Sequence, residues 1–145
     1  MTTDAWSSPG FLLWRATLRW QRLMVETLKP FELTHVQFVL LASTWWLCDN
    51  GGPPRQCDLA EHAGTDPMMT SQVVRALADA GLVSRTPDPL DARAMLVTTT
   101  RAGRALAPKA VAAVEAADRE FFAVVPARAQ PGLRTALSVL GGQEA

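Results

Sequence analysis

Leu59-Ala60-Glu61-His62-Ala63-Gly64-Thr65-Asp66-Pro67-Met68-Met69-Thr70-Ser71-Gln72-Val73-Val74-Arg75-Ala76-Leu77-Ala78-Asp79-Ala80-Gly81 is the stretch that decides the fold. A short helix is expected over residues 56–63, closed by Gly64. Asp66 is placed to cap a second helix with Pro67 at its first position. That helix is expected over residues 67–80, with Gly81 after it. Two helices joined by about three residues that include a glycine make a helix-turn-helix.

Downstream the period changes. Leu82-Val83-Ser84-Arg85-Thr86 and Met95-Leu96-Val97-Thr98-Thr99 are short and β-branched. The turn formers of Pro87-Asp88-Pro89-Leu90-Asp91-Ala92-Arg93 separate them, so a β-hairpin with a long tip is expected. Thr100 can cap an alanine-rich helix over residues 101–125, which Pro126 breaks before a last amphipathic helix over residues 131–140. Pro108 falls inside the long helix and should kink it or mark a later start.

Upstream, residues 11–29 read as a long helix. Arg15, Arg19, Arg22, Glu26 and Lys29 share one narrow polar stripe, and almost everything else is apolar. So wide an apolar arc implies burial against a second surface, such as another subunit. Pro30 stops that helix. Thr34-His35-Val36-Gln37 is a capping box, and Leu33 and Phe38 are spaced for a hydrophobic staple across it. The helix that follows should reach about Leu47. Asp49-Asn50-Gly51-Gly52-Pro53-Pro54 is a loop.

The chain of 145 residues is long enough for one domain with its own core. It is 48% hydrophobic, which excludes a disordered chain. No apolar run approaches the roughly 20 residues of a membrane span. The opening MTTDAWSSPG lacks a signal-peptide pattern, so a cytoplasmic protein is expected. Fourteen basic residues balance fourteen acidic ones, so a nucleic-acid reading must rest on where particular arginines sit.

A helix-turn-helix followed by a hairpin is a winged-helix arrangement. Three stretches, Leu59-Ala60-Glu61, residues 66–77 and Gly81-Leu82-Val83-Ser84-Arg85, resemble the MarR family of bacterial transcription regulators. So do Asp88-Pro89-Leu90-Asp91-Ala92-Arg93-Ala94, the following Leu96-Val97 and Thr100-Arg101-Ala102-Gly103, and Leu33-Thr34-His35-Val36-Gln37-Phe38-Val39-Leu40-Leu41 near the start. The resemblance covers about residues 11–140. It implies a single domain, mainly α with a small β-hairpin wing. Residues 33–99 would form the winged helix-turn-helix lobe, and residues 11–30 and 101–140 the dimerisation helices of a homodimer. The implied function is sequence-specific binding of double-stranded DNA at a palindromic operator. It is usually repression, relieved by a small ligand or an oxidant.

Gln72 can pair bidentately with an adenine edge, and Arg75 with guanine or a phosphate. Ser71 suits a phosphate or a base edge, and Met68 lies on the same face. Met69, Val73, Val74 and Leu77 are spaced to bury the other face. The bland alternative is an ordinary solvated helix. At the wing, Arg93 fits a narrow A·T-rich minor groove, the role the resemblance gives it. Asp91 is placed to orient Arg93 by a charge-assisted hydrogen bond, against the alternative of a surface ion pair of little worth. Arg85, at the wing base, would hold the wing or touch a phosphate. Arg55, Arg75, Arg85, Arg93, Arg101 and Arg104 are matched by Asp58, Glu61, Asp66, Asp79, Asp88 and Asp91. A lobe so balanced should show a modest salt dependence.

In the resembled family a cleft between the dimer helices and the lobe holds small aromatic ligands. Trp14, Arg15, His35, Phe38, Trp45 and Trp46 are the candidates here, with Trp20 nearby, against the alternative of plain packing. Cys48 and Cys57 flank the loop and would sense oxidants if their Cα atoms approach to about 5.5 Å. No metal-ligand spacing, cofactor motif, phosphate loop or nucleophile elbow is present, so neither a cofactor nor an enzyme is expected. The competing readings are a winged-helix protein-interaction module without DNA binding and a cysteine-based redox-sensing regulator.

Overall fold

The computed structural model describes residues 4–143. Six helices and one hairpin follow in the order α1 (Pro9–Leu28), α2 (His35–Asp49), α3 (Gln56–Ala63), α4 (Pro67–Asp79), β1 (Val83–Asp88), β2 (Asp91–Thr99), α5 (Arg101–Phe122) and α6 (Gln130–Leu140). Short 3-10 turns at Ala5–Ser7, Lys29–Phe31 and Ala127–Ala129 precede α1, follow it and precede α6. None of the three shows in the apolar periodicity.

Local chemistry sets most boundaries. Ser8 Oγ accepts the Phe11 amide, and Pro9 takes the first helical position, so α1 starts two residues before the expected residue 11. Both halves of the Thr34 capping box form: Gln37 N–H donates to Thr34 Oγ1, and Thr34 N–H donates to Gln37 Oε1. Leu33 and Phe38 are both buried beneath it. Asp66 Oδ1 accepts the Met69 amide at 2.8 Å at the head of α4. Gly64, at φ 73°, makes the left-handed turn out of α3.

Two expectations are corrected, and one of the two alternatives at Pro108 falls away. The wing has no long tip: the strands pair from Val83↔Thr99 to Pro87↔Met95, a bulge follows, and Asp88↔Asp91 closes on Pro89 and Leu90. Asp88 causes this, because its Oδ1 accepts the Leu90 amide at 2.9 Å and folds the turn on itself. Pro108 does not delay α5, which runs unbroken from Arg101. The proline sits on the exposed face, where water can reach the Arg104 carbonyl that it leaves without an amide. Met69 is 42% exposed instead of buried, because the first turn of α4 projects beyond the helices that cover Thr70, Val74 and Leu77.

The core gathers Met24 and Leu28 of α1, Phe38, Leu40 and Leu41 of α2, Leu59 of α3, Val74 and Leu77 of α4, Val83 and Val97 of the wing, and Ala107, Ala110 and Val114 of α5. Gly103, Ala107, Ala110 and Val114 form the buried face of α5. The small side chains on this face let α1 and α2 pack against it. By contrast, Leu12, Leu13, Trp14 and Val25 of α1 and Leu137, Val139 and Leu140 of α6 remain exposed, and no residue of α6 is buried. The chain by itself leaves both faces uncovered, as expected for surfaces awaiting a second one.

Candidate functional site

The helix-turn-helix is locked from within. Thr70, fully buried, donates to the Asp66 carbonyl at 2.8 Å and shares a 2.6 Å hydrogen bond with Thr65 Oγ1. That fixes the outward face of α4. Met68, Gln72 and Arg75 are exposed on it, and Ser71 is half-buried beside them. The four candidates therefore do share one solvent face, and among the described residues neither Gln72 nor Arg75 has a side-chain hydrogen-bond or ion-pair partner.

At the wing, Arg93 is exposed and Leu90 at the tip is 90% exposed. Asp91 does not hold the Arg93 guanidinium. Its Oδ1 accepts the Arg93 backbone amide at 3.0 Å, a local turn bond that leaves the guanidinium without an ion-pair partner among the described residues. The ion pairs among the described residues are Lys29–Glu26 and Arg55–Asp88. The second was not anticipated. Arg55 Nε donates to Asp88 Oδ2 at 2.8 Å, and Asp88 is only 7% exposed. Thirty-three residues separate the partners, so no local pattern signals the pair. Arg85 lies mid-strand opposite Val97, partly buried, with its Nε unpartnered among the described residues. It is part of the wing's base and not a tip residue.

A cleft of about 370 Å³ separates the wing from the first turns of α3 and α4, with Arg55, Thr70 and Arg93 among its walls. A second, of about 240 Å³, lies along the outer face of α1 at Leu18, Arg22 and Val25. Neither is lined by the expected aromatic pocket residues, which the structure disperses. Phe38 is buried in the core, Trp45 packs half-buried against it, and Arg15 and Trp14 (61% exposed) stand in solvent. Trp46 stacks on His62, 6.0 Å between ring centroids. It lies eleven residues past His35, about 16 Å along α2, too far to share a small pocket.

What does assemble is a cluster across three helices. Trp20 meets His35 edge to face at 4.9 Å, and Trp20 Nε1–H donates to Asp118 Oδ1 at 2.8 Å. Burial holds the His35 imidazole below its ordinary value of 6.5, while the nearby Asp118 carboxylate pulls partly the other way. The folded chain thus resists a proton that the unfolded chain accepts. Stability should fall as pH drops through 6.5 toward the lowered value. Melting followed from neutral to mildly acid pH checks this: His35→Gln should flatten that part of the profile, and an unchanged slope would contradict it.

Cys48 Sγ faces the Val97 carbonyl at 3.9 Å, whereas Cys57 is exposed beside Asp58. Both are free thiols with different neighbours, so their geometry gives the redox reading no support.

Residues 33–95 match the model of the MarR family. The uncharacterised HTH-type transcriptional regulator YdcH of Bacillus subtilis is 44% identical over 117 residues, 81% of this chain and 80% of its own. The chain belongs to the MarR family. A MarR-family transcriptional regulator of Rhodococcus sp. RHA1 has the same fold, with a TM-score of 0.84 at 28% identity, over 97% of this chain and 96% of its own. The HTH-type transcriptional repressor Rv2887 of Mycobacterium tuberculosis is 33% identical over 132 residues, 91% of this chain and 92% of its own. Its structure in complex with salicylic acid aligns over 97% of this chain and 99% of its own, with a TM-score of 0.68 at 32% identity. The lobe and wing of this MarR chain are thus a mainly helical winged-helix fold with a two-stranded hairpin. No helix among the described residues is long and apolar enough to cross a membrane.

Proposed function

We propose that the protein is a homodimeric transcription repressor that binds a palindromic DNA operator and is released by a small aromatic acid. The observation that carries this is the bare polar row of α4, Gln72 and Arg75, flanked by a wing arginine, Arg93, that no carboxylate among the described residues holds. A helix presenting such a row is what a major groove accepts, and a hairpin-borne guanidinium suits the minor groove beside it. The uncovered faces of α1 and α6 supply the dimer surface, which sets two such helices about one DNA turn apart. The helices at residues 11–30 and 101–140 serve dimerisation, and the lobe at 33–99 serves DNA.

The repressor sense follows the relatives so named, and the ligand class follows the salicylic acid seen in one of them. In this chain the Trp20–His35–Asp118 cluster is where an aromatic acid would act, because it ties α1, α2 and α5 together at the joint between lobe and dimer helices. A ligand there changes the spacing of the two lobes only through its different affinity for the two spacings. Mobility shifts on DNA upstream of the protein's own gene, with and without salicylate, test the reading. The complex should form without ligand and dissociate with it, and salicylate should quench tryptophan fluorescence in the parent and far less in Trp20→Phe. Failure to retain any upstream DNA would favour the protein-interaction module, the reading that the lobe's balanced charge supports.

A further inference from the structure

We infer that Arg55 is a positioning residue for DNA reading, fixing the reach of the wing through Asp88; this rests on the DNA-binding reading above. Arg55 lies at the foot of the helix-turn-helix, immediately before α3. Its backbone bridges Leu96 of β2, and the neighbouring Pro54 carbonyl accepts the Val97 amide at 2.9 Å. The base of the wing is therefore stitched to the lobe by main chain. The tip is tied by side chain: Arg55 Nε reaches Asp88 Oδ2 at 2.8 Å, and the other oxygen of the same carboxylate folds the Leu90 turn.

One buried carboxylate thus links the tip's conformation to a fixed point on the reading lobe. A two-stranded ribbon is intrinsically weak on its own. Without the tie, the tip and Arg93 behind it are free to swing relative to α4. Held by it, Arg93 stands across the cleft from the first turn of α4, so groove reading by α4 and by the wing keeps one register. Restricting a contact group before binding raises affinity by removing an ordering cost. Arg55 acts through Arg93 and itself touches no base.

The test compares Arg55→Gln and Asp88→Asn with Arg93→Ala on two duplexes, one with A·T and one with G·C base pairs where the wing lies. Asparagine can keep the Leu90 turn bond while abolishing the ion pair, so it separates the tie from the turn. Both variants should melt within a few degrees of the parent. Each should lose about tenfold in affinity on the A·T duplex and little on the G·C one, erasing the parent's discrimination. Arg55→Gln combined with Arg93→Ala should bind no worse than Arg93→Ala alone. Multiplying losses, or a salt dependence reduced by about one phosphate per subunit, would make Arg55 a direct contact and overturn the inference. Intact discrimination in Arg55→Gln, with Arg93→Ala impaired, would overturn it and leave the DNA reading standing. Were Arg93→Ala itself without effect, the wing reading and the inference would fall together.

Discussion

Gly103→Ala should lower the melting temperature by roughly 10 °C, an overpacking cost near 3 kcal/mol in a domain of this size. Helix propensity argues the other way, since alanine is favoured over glycine by about 1 kcal/mol in a helix interior. The geometry decides against propensity. A Cβ at position 103 would overlap the Leu82 carbonyl oxygen, with Leu82 C at 3.0 Å and Leu41 Cδ1 at 3.5 Å behind it. The obstacle is main chain and cannot turn aside. That same carbonyl accepts the Thr100 amide at 3.0 Å, and Thr100 Oγ1 donates to the Gly81 carbonyl at 2.6 Å. Retreat would loosen the seam where the end of the helix-turn-helix, the start of the wing and the head of α5 meet. Operator affinity should drop with stability. A melting temperature equal to the parent's, or higher, would show that α5 does not press on the lobe as described.

Gln72→Ala and Arg75→Ala should leave the melting curve where it is and strip DNA affinity. Each bidentate base contact is worth about 1–3 kcal/mol of discrimination, and a dimer loses it twice. The expected loss is therefore between about 30-fold and about 10⁴-fold on the specific site. Both side chains are exposed and have no partner among the described residues, so folding has little to lose from either change. Titration against mutated operators separates the chemistries. A base-reading Arg75 loses affinity only on sites that keep its base, whereas a phosphate-bound Arg75 weakens all sequences alike and lowers the salt slope. Wild-type affinity in both variants would mean that α4 is a solvated face and not a reading helix.

Much of this architecture was legible because its causes are local. Thr34, Asp66, Pro67 and Gly64 each act within a few residues, so caps and turns read directly from the chain. The outward row of α4 followed from its period. The hairpin was legible in kind but not in length, because Asp88 serves as a turn acceptor and an ion-pair partner at once. What escaped is non-local. Trp20 meets Asp118 across 98 residues, and nothing near either position signals the other. A shared pocket for the aromatic residues of the first two helices rests on the family resemblance, with plain packing as the alternative. Periodicity places Trp46 three turns from His35, and the stack on His62 shows it serving a different surface. The role of Arg55 is not legible locally, because Asp88, the partner through which it ties the wing tip, lies 33 residues away.

Two coupled reading helices should grip successive turns of one duplex face. Footprinting on the upstream DNA locates the two half-sites, expected about 10 base pairs apart. Binding should then be measured to that operator and to one lengthened by about five base pairs, half a turn, between the half-sites. The lengthened site turns one half-site to the opposite face, so affinity should collapse toward that of a single half-site. Equal affinity for both duplexes would mean that the two helices do not engage one duplex together.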